Sequence, residues 1–365
     1  MNIARLDFYK ETMYQDFDII VVGGGHAGVE AALAAARMGR TAAIVTMDPQ
    51  RLALMSCNPA IGGIGKSHIV KEVDALGGLM GMAIDATGIQ FRRLNLSRGP
   101  AVWSTRAQAD RIAYNDFVVS HVTSHPRVTV IEGLAGEILA EDGAVVGIRL
   151  ESGELISCRA AAIATGTFLG GLIHIGQKQV RADLIGEPAA YKLSESFRSF
   201  GFEVGRLKTG TPPRLDGDTI DWARCEIQPG EEPVPFFSSR SPRREFQQAC
   251  CHLTYTTEET RQIINENHHL SPMFSGQIKS TGPRYCPSIE DKFFRFADKE
   301  RHQLFLEPEG NGTNEVYPNG FSTALPEDIQ IRAIRTVVGL EEVRVTRPGY
   351  AVEYDYCPAY QIKPS

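Results

Sequence analysis

The sequence predicts an α/β fold organised around one β-α-β unit, and three observations predict it. Residues 17–22 form an apolar run of buried-strand length. Gly23, Gly25 and Gly28 follow at the G-x-G-x-x-G spacing. An alanine-rich helical stretch then covers 27–38, is stopped by Gly39, and leads to a second apolar run at 42–45. In that context the first glycine makes a tight turn, the second lets the backbone approach a diphosphate, and the third lets helix and strand pack closely. The diphosphate would rest on the helix N-terminus, where free N–H groups and the helix dipole favour an anion. The usual acid ending the second strand is not clear: Thr46 stands near its place and Asp48 lies slightly beyond. The unit alone therefore leaves FAD and NAD both open.

Composition narrows the class. A chain of 365 residues suits about two domains, and 35 glycines with 20 prolines imply many tight loops. A net charge of −6 gives no global argument for nucleic acid, so any such contact must be a local patch. No apolar run approaches membrane-spanning length, and residues 1–16 carry no apolar signal core. Seven irregularly spaced cysteines fit a reducing compartment better than a disulfide framework. The expectation is a cytoplasmic protein.

Along the chain, residues 61–67 (IGGIGKS) look like a phosphate loop at a glance, but Ala60 stands where that loop needs glycine. They read instead as a glycine-rich turn before a helix at 68–76, whose N-terminus can still face a ligand phosphate. Arg92, Arg93, Arg98, Arg106 and Arg111 follow, interleaved with Phe91 and Trp103. They suit either an RNA backbone or a solvated face with ion pairs. Strand patterns at 127–132 and 144–150, with turns between and after, read as a β-meander. Residues 160–166 (AAAIATG) form a short buried strand ending in Thr-Gly, as expected in the glutathione-reductase-like two-dinucleotide fold. That strand moves the choice from NAD to FAD as the tightly held cofactor.

From about residue 201 the chain becomes loop-rich. Residues 228–248 read as an exposed loop whose Arg240, Arg243 and Arg244 suit RNA or solvent. A helix is predicted at 256–267, capped by Thr, a strand at 302–310, and a further helix opened by Pro326. The domain reading is 1–200 for FAD, 201–350 as an inserted α+β domain for NAD and substrate, and 351–365 as a segment returning to the first.

Long motifs carry a resemblance over essentially the whole chain. SCNPAIGGIGK (56–66), KEVDALGG (71–78), GRLKTGTPPR (205–214), GPRYCPSIEDK (282–292) and YPNGFSTALPEDIQ (317–330) are among them. The sequence resembles the FAD-containing subunit family of the tRNA uridine 5-carboxymethylaminomethyl modification enzyme, the MnmG or GidA family. The resemblance implies modification of carbon 5 of the wobble uridine of tRNA, with FAD and NADH for the redox steps. It implies methylenetetrahydrofolate as one-carbon source, a folate-binding GTPase partner (MnmE), and a cytoplasmic homodimer that joins the partner in a heterotetramer. It implies FAD contacts at Gly23, Gly24, Gly25, His26, Ala27 and Gly28, and at Ala135 and Ala190. It implies NAD contacts at Gly282, Pro283, Arg284, Tyr285, Cys286, Pro287, Ser288, Ile289, Glu290, Asp291, Lys292, Phe293, Phe294, Arg295 and Phe296. Family members run longer, so a last FAD segment and a helical C-terminal domain are expected to be missing from this chain. Other readings are a folate- and FAD-dependent tRNA uridine methyltransferase and a non-catalytic FAD- or RNA-binding fragment.

The chemistry asks for a thiol. A thiolate adding to carbon 6 of uracil makes carbon 5 nucleophilic toward a one-carbon electrophile. Cys57 precedes a glycine-rich turn and Cys286 follows Arg284, so both are candidates, with buried structural thiols or a redox pair as the alternatives. Cys158, Cys225, Cys250, Cys251 and Cys357 read as structural. Asp291 and Glu290 suit either acid–base work or a helix start. Lys292 and Arg295 suit nicotinamide phosphates, and Lys208 and Arg214 suit a cleft or ion pairs. His26 suits either an approach to the flavin or a plain loop position.

Overall fold

The computed structural model describes residues 13–181, 190–280, 282 and 287–363. Strand β1 (Met13–Val22) runs through the glycine turn into helix α1 (His26–Arg37) and back through β2 (Ala42–Thr46), parallel to it in the register Val21 to Ile44. Alternation along these strands sends Val21 and Ile44 to one face, and Ile20, Val22, Ala43 and Val45 to the other; both faces are covered, as a parallel sheet requires. On α1, Gly28, Val29, Ala32, Leu33 and Ala36 are buried along one stripe, and Gly39 at φ +80° ends the helix.

The next elements are β3 (Ala60–Gly62), α2 (Lys66–Ala75), α3 (Met80–Thr87), β4 (Gly88–Leu94), β5 (Ser104–Ala109) and α4 (Arg111–Thr123). Then come β6 (Val128–Glu132), β7 (Ala135–Glu141), β8 (Ala144–Leu150) and β9 (Leu155–Ile163). The main sheet has the order β6-β2-β1-β9-β8-β7. Its first four strands are parallel, and β7 to β9 form an antiparallel meander; of the two strands that the sequence assigns to a meander, 144–150 belongs to it as β8, whereas 127–132 is β6 and pairs parallel with β2. The small sheet β3-β5-β4 and helices α1 to α4 contribute to the core on one face.

The second half holds β10 (Leu172–Ile175), β11 (Lys178–Val180), α5 (Tyr191–Ser199), β12 (Gly205–Thr211), β13 (Arg214–Asp216), β14 (Glu226–Gln228) and β15 (Cys251–Tyr255). It continues with α6 (Glu258–Asn267), α7 (Ile289–Arg295), β16 (Gln303–Pro308), β17 (Glu315–Asn319), α8 (Glu327–Ile334), β18 (Val345–Arg347) and β19 (Tyr350–Tyr356). An antiparallel six-stranded sheet, β14-β15-β16-β17-β13-β18, packs against α6 to α8 around Leu215, Ile264, Leu304, Phe321 and Ile334. A separate four-stranded sheet, β11-β10-β19-β12, pairs the late strand β19 with both β10 and β12. Thr257 caps α6 through a capping box with Thr260, and Pro326 occupies the cap of α8. Among the described residues no helix is long and apolar enough to cross a membrane.

Candidate active site

The glycine turn opens onto a groove. The Gly23 N–H bonds the Val45 carbonyl at 2.8 Å, and φ of +112° at Gly23 is a conformation that glycine adopts freely. A Cβ at Gly28 would collide with the Gly23 carbonyl oxygen, so helix and turn touch backbone to backbone there. A Cβ at Gly25 would meet nothing within 4 Å, because that position faces open space. Helix α1 has no capping side chain and no acid in its first turn, which leaves its N-terminal N–H groups for a ligand.

The groove runs from Gly23, Gly24 and Gly25 past Thr46 and Asp48 to Gly133 and Ala135 on one side. On the other it reaches Thr165, Phe168 and Ala190. Ala135 and Ala190, more than fifty residues apart in sequence, thus share a wall with the glycines. An open glycine, an uncapped helix end and an apolar continuation fit a dinucleotide. The Asp48 carboxylate accepts from the Gln50 N–H at 2.8 Å and pairs with Arg51 at 3.0 Å, so it caps a local turn. Thr165 belongs to the Thr-Gly strand end that the sequence marks, whereas Arg51 and Phe168 line the groove and carried no signal in the sequence, since each sits outside any fixed-spacing motif.

Among the glycines His26 behaves differently. It is half-buried as a residue, but its Nε2 is closed off from solvent and has no partner, and its ring packs on Tyr114 at 5.5 Å between centroids. Burial pushes its pKa down to about 4. The ring borders a small space with Glu30 and Tyr114 and is not among the residues lining the groove.

The groove ends near Ser56, and the next residue is Cys57. Its thiol lies 3.7 Å from the Gly210 carbonyl, to which it donates, and 3.7 Å from the Tyr317 hydroxyl. Burial, with Cys57 beside it, holds the Tyr317 phenol un-ionised, far above its ordinary range. Arg214, 4% exposed, lies with its guanidinium 4.6 Å over the Tyr317 ring. Its Nη2 donates to the Cys57 carbonyl at 2.9 Å, its Nη1 to the Pro212 carbonyl at 2.8 Å, and its Nε to Glu309. Arg214 therefore both pairs with a carboxylate and fixes the backbone of the cysteine.

Lys208 and Gly210 lie two residues apart on β12, hence on one face of it. The buried Lys208 comes within 3.9 Å of Asp291, and a Cβ at Gly282 would touch its Cε. Gly282 and Asp291 thus both lie beside the Lys208 side chain on β12. Pro283, Arg284, Tyr285 and Cys286 lie outside the described residues.

Further along that segment most side chains hold the helix. Ser288 and Asp291 form a capping box at 3.1 and 3.2 Å, and Arg295 stands 3.7 Å from the same carboxylate. The helix-start reading of Asp291 is therefore the one its contacts support. Ile289 and Phe293 enter the core, and Lys292 donates to the Gly320 carbonyl at 2.7 Å. Glu290 is buried and accepts from Ser271, Thr323 and the Ala324 N–H; burial pushes its pKa up. Phe294, Arg295 and Phe296 face solvent, as the outer side of this segment.

Burial raises the pKa of Cys158, Cys225, Cys251 and Cys357, that of Cys251 to about 12, and Cys250 is exposed. Much of the arginine patch is engaged in ion pairs within the chain. Arg93 pairs with Glu231 at 2.5 Å, Arg106 with Glu307 at 2.5 Å, and Arg111 with Glu309 at 3.2 Å. The exposed-loop reading of 228–248 gives way as well: Arg240 pairs with Asp74 at 2.6 Å, and Arg244 donates to the Asp85 and Gly88 carbonyls. Arg98 and Arg243 are exposed.

Residues 18–365 match the family described as Glucose inhibited division protein A. The chain belongs to that family. It is 51% identical over 355 residues to the tRNA uridine 5-carboxymethylaminomethyl modification enzyme MnmG of Thermodesulfovibrio yellowstonii, which covers 97% of this chain and 56% of that relative. Two crystal forms of Aquifex aeolicus GidA superpose on it with a TM-score of 0.89. The first is 48% identical and covers 94% of this chain and 58% of that one. The second is 46% identical and covers 96% and 57%. The chain thus spans somewhat over half the length of these relatives. Within this family, the main sheet and its glycine turn are a Rossmann-like FAD-binding fold.

Proposed function

We propose that this chain carries the flavin-binding and uridine-activating part of a tRNA-modifying enzyme. That enzyme adds a carboxymethylaminomethyl or aminomethyl group to carbon 5 of the wobble uridine. The observation that carries the reading is the junction at Ser56 and Cys57. The dinucleotide groove stops at one residue, and the next presents a thiol to the β12 motif. The relative of known activity, MnmG of Thermodesulfovibrio yellowstonii, names the class of reaction.

The groove glycines and the first turn of α1 would hold the diphosphate of FAD, with Ala135 and Ala190 along its length. When bound, FAD supplies hydride chemistry, with NADH as the reductant. The Cys57 sulfur gives up its proton and bonds carbon 6 of the uracil, and carbon 5 then attacks a one-carbon electrophile derived from methylenetetrahydrofolate, with glycine or ammonium supplying the nitrogen of the added group. Loss of the proton at carbon 5 and departure of the sulfur restore the ring. Arg214 keeps the Cys57 backbone in place through this cycle, and the neutral Tyr317 offers a hydroxyl beside the sulfur. Lys208, two residues before Gly210 on β12, supplies a cation on that strand. Segment 282–296 is the NADH-facing element, and its Cys286 is the second thiol candidate. The intact enzyme works in the cytoplasm as a homodimer with a folate-binding GTPase of the MnmE type.

The test is modification of a tRNA substrate in the presence of the GTPase partner by Cys57→Ser and Cys286→Ser variants. Each is expected to lose modification while keeping bound yellow flavin. Full activity in both would sink the assignment.

A further inference from the structure

A buried tyrosine meets the cysteine from 260 residues further along the chain. Tyr317 opens the YPNGFSTALPEDIQ motif and stands on β17, whose neighbour β13 begins with Arg214. The residue is 4% exposed, and the Arg214 guanidinium lies 4.6 Å from its ring centroid. Its hydroxyl is 3.7 Å from the Cys57 sulfur, and among the described residues no other group bonds it. A phenylalanine would fill this space with no polar atom to satisfy, so the fold places a phenol hydroxyl against the sulfur alone.

The direction of that bond follows from the other contact of the thiol. The Gly210 carbonyl, also at 3.7 Å, only accepts, so the single thiol proton points there. The hydroxyl is then the donor and the sulfur the acceptor. Burial holds the phenol un-ionised, so the donor keeps its proton. When the thiol ionises, the Gly210 carbonyl faces a negative sulfur with no proton between them, whereas the Tyr317 hydroxyl becomes a donor to a charge, the stronger kind of hydrogen bond. The thiol proton leaves to solvent, which the half-buried Cys57 reaches.

Charges reach this pair from three strands. Arg214 on β13 bonds the Cys57 carbonyl and covers the phenol. Glu307 on β16 accepts from Arg106 and Asn319, and Glu309 just beyond it pairs with Arg214 and Arg111. Lys208 on β12 stands by Asp291. The two glutamates are thus engaged by cations, and the cation of Arg214 lies on the aromatic face, where it draws on the ring electrons and sharpens the O–H as a donor.

We propose that Tyr317 is a catalytic hydrogen-bond donor to the Cys57 sulfur. It stabilises the thiolate that attacks carbon 6 of the uracil and the thiolate that departs at the end of the cycle, and Arg214 strengthens the donation through the ring. The purpose rests on the reading of Cys57 as the nucleophile; the effect on the thiol does not.

The test is the pH dependence of Cys57 alkylation by iodoacetamide in the full chain, followed by mass spectrometry of the peptide that carries it, in the parent and in Tyr317→Phe. Alkylation proceeds through the thiolate, so its midpoint reports the thiol. The variant keeps the ring and loses only the hydroxyl. Its midpoint is expected to rise by about one pH unit, with the limiting rate at high pH within about twofold of the parent. A merely structural hydroxyl would change the rate at every pH and leave the midpoint in place, and that result would overturn the proposal. If Tyr317→Phe does not fold, the parent chain labelled throughout with a tyrosine fluorinated beside the hydroxyl carries the test. The fluorine makes the phenol a stronger donor, so the Cys57 midpoint is expected to fall, and an unchanged or raised midpoint would overturn the proposal. A shifted midpoint in a protein whose Cys57→Ser variant still modifies tRNA would overturn the nucleophile reading and leave the donor assignment standing.

Discussion

Replacing Arg214 by Ala tests how the cysteine is held. The guanidinium is 4% exposed and spans three partners: the Cys57 carbonyl at 2.9 Å, the Pro212 carbonyl at 2.8 Å, and Glu309. Removing one member of a buried ion pair costs about 3–5 kcal/mol, chiefly because the other charge stays buried. Here Glu309 keeps Arg111 at 3.2 Å and Arg347 at 3.9 Å, so the cost belongs at the low end, about 3 kcal/mol. At roughly 2 °C per kcal/mol for a chain of this size, the melting temperature should fall by about 6 °C. Differential scanning calorimetry reads this directly. The double variant Arg214→Ala/Glu309→Gln should lose less than the sum of the two single losses, because the contact between the two side chains is removed only once. A fall below about 2 °C in the single Arg214 variant, or a double loss equal to the sum, would refute the account of Arg214 as the clamp on Cys57.

Three other outcomes are expected. Gly28→Ala drives a Cβ into the Gly23 carbonyl, so it should cost about 1–3 kcal/mol or more and lower the flavin content; a melt and a spectrum that both match the parent would contradict the backbone contact. His26 is held neutral, with a pKa lowered from 6.5 to about 4 by burial. The unfolded chain therefore binds the extra proton first, and stability should fall as pH drops from about 6.5 toward 4; His26→Leu should flatten that slope in urea titrations, and an unchanged slope would count against a buried neutral ring. Burial raises the Glu290 pKa, so its contribution is largest at low pH and is lost as pH rises past the ordinary carboxylate range; Glu290→Gln should melt at least as high as the parent at pH near 8, and a large loss there would show that the charged form is the one the fold needs.

What the sequence shows and what it hides follow from range. The glycine turn, α1 and β2 are set by neighbours a few residues apart, so spacing alone located them. Ala135 and Ala190 were placed on the groove by motif matching, although nothing local marks an alanine as a wall. The arginines were ambiguous because their partners are remote: Glu231 lies 138 residues from Arg93, and Glu307 lies 201 from Arg106. Asp291 carried a local signal, Ser288 three residues before it, and that capping box is how the helix begins. His26 was left open because the direction of a side chain leaving a glycine turn depends on which helix covers it, here α4 through Tyr114. The meeting of Cys57 with Gly210 and Tyr317 depends on three separate segments, and no periodicity reports it.

The central claim is that the groove beside Cys57 is a flavin site in the chain as it stands. The most direct measurement is the visible absorption spectrum of the purified 365-residue chain, before and after NADH is added without oxygen. The account predicts the bands of oxidised flavin, bleached by NADH. A colourless chain that takes up no added FAD would contradict it.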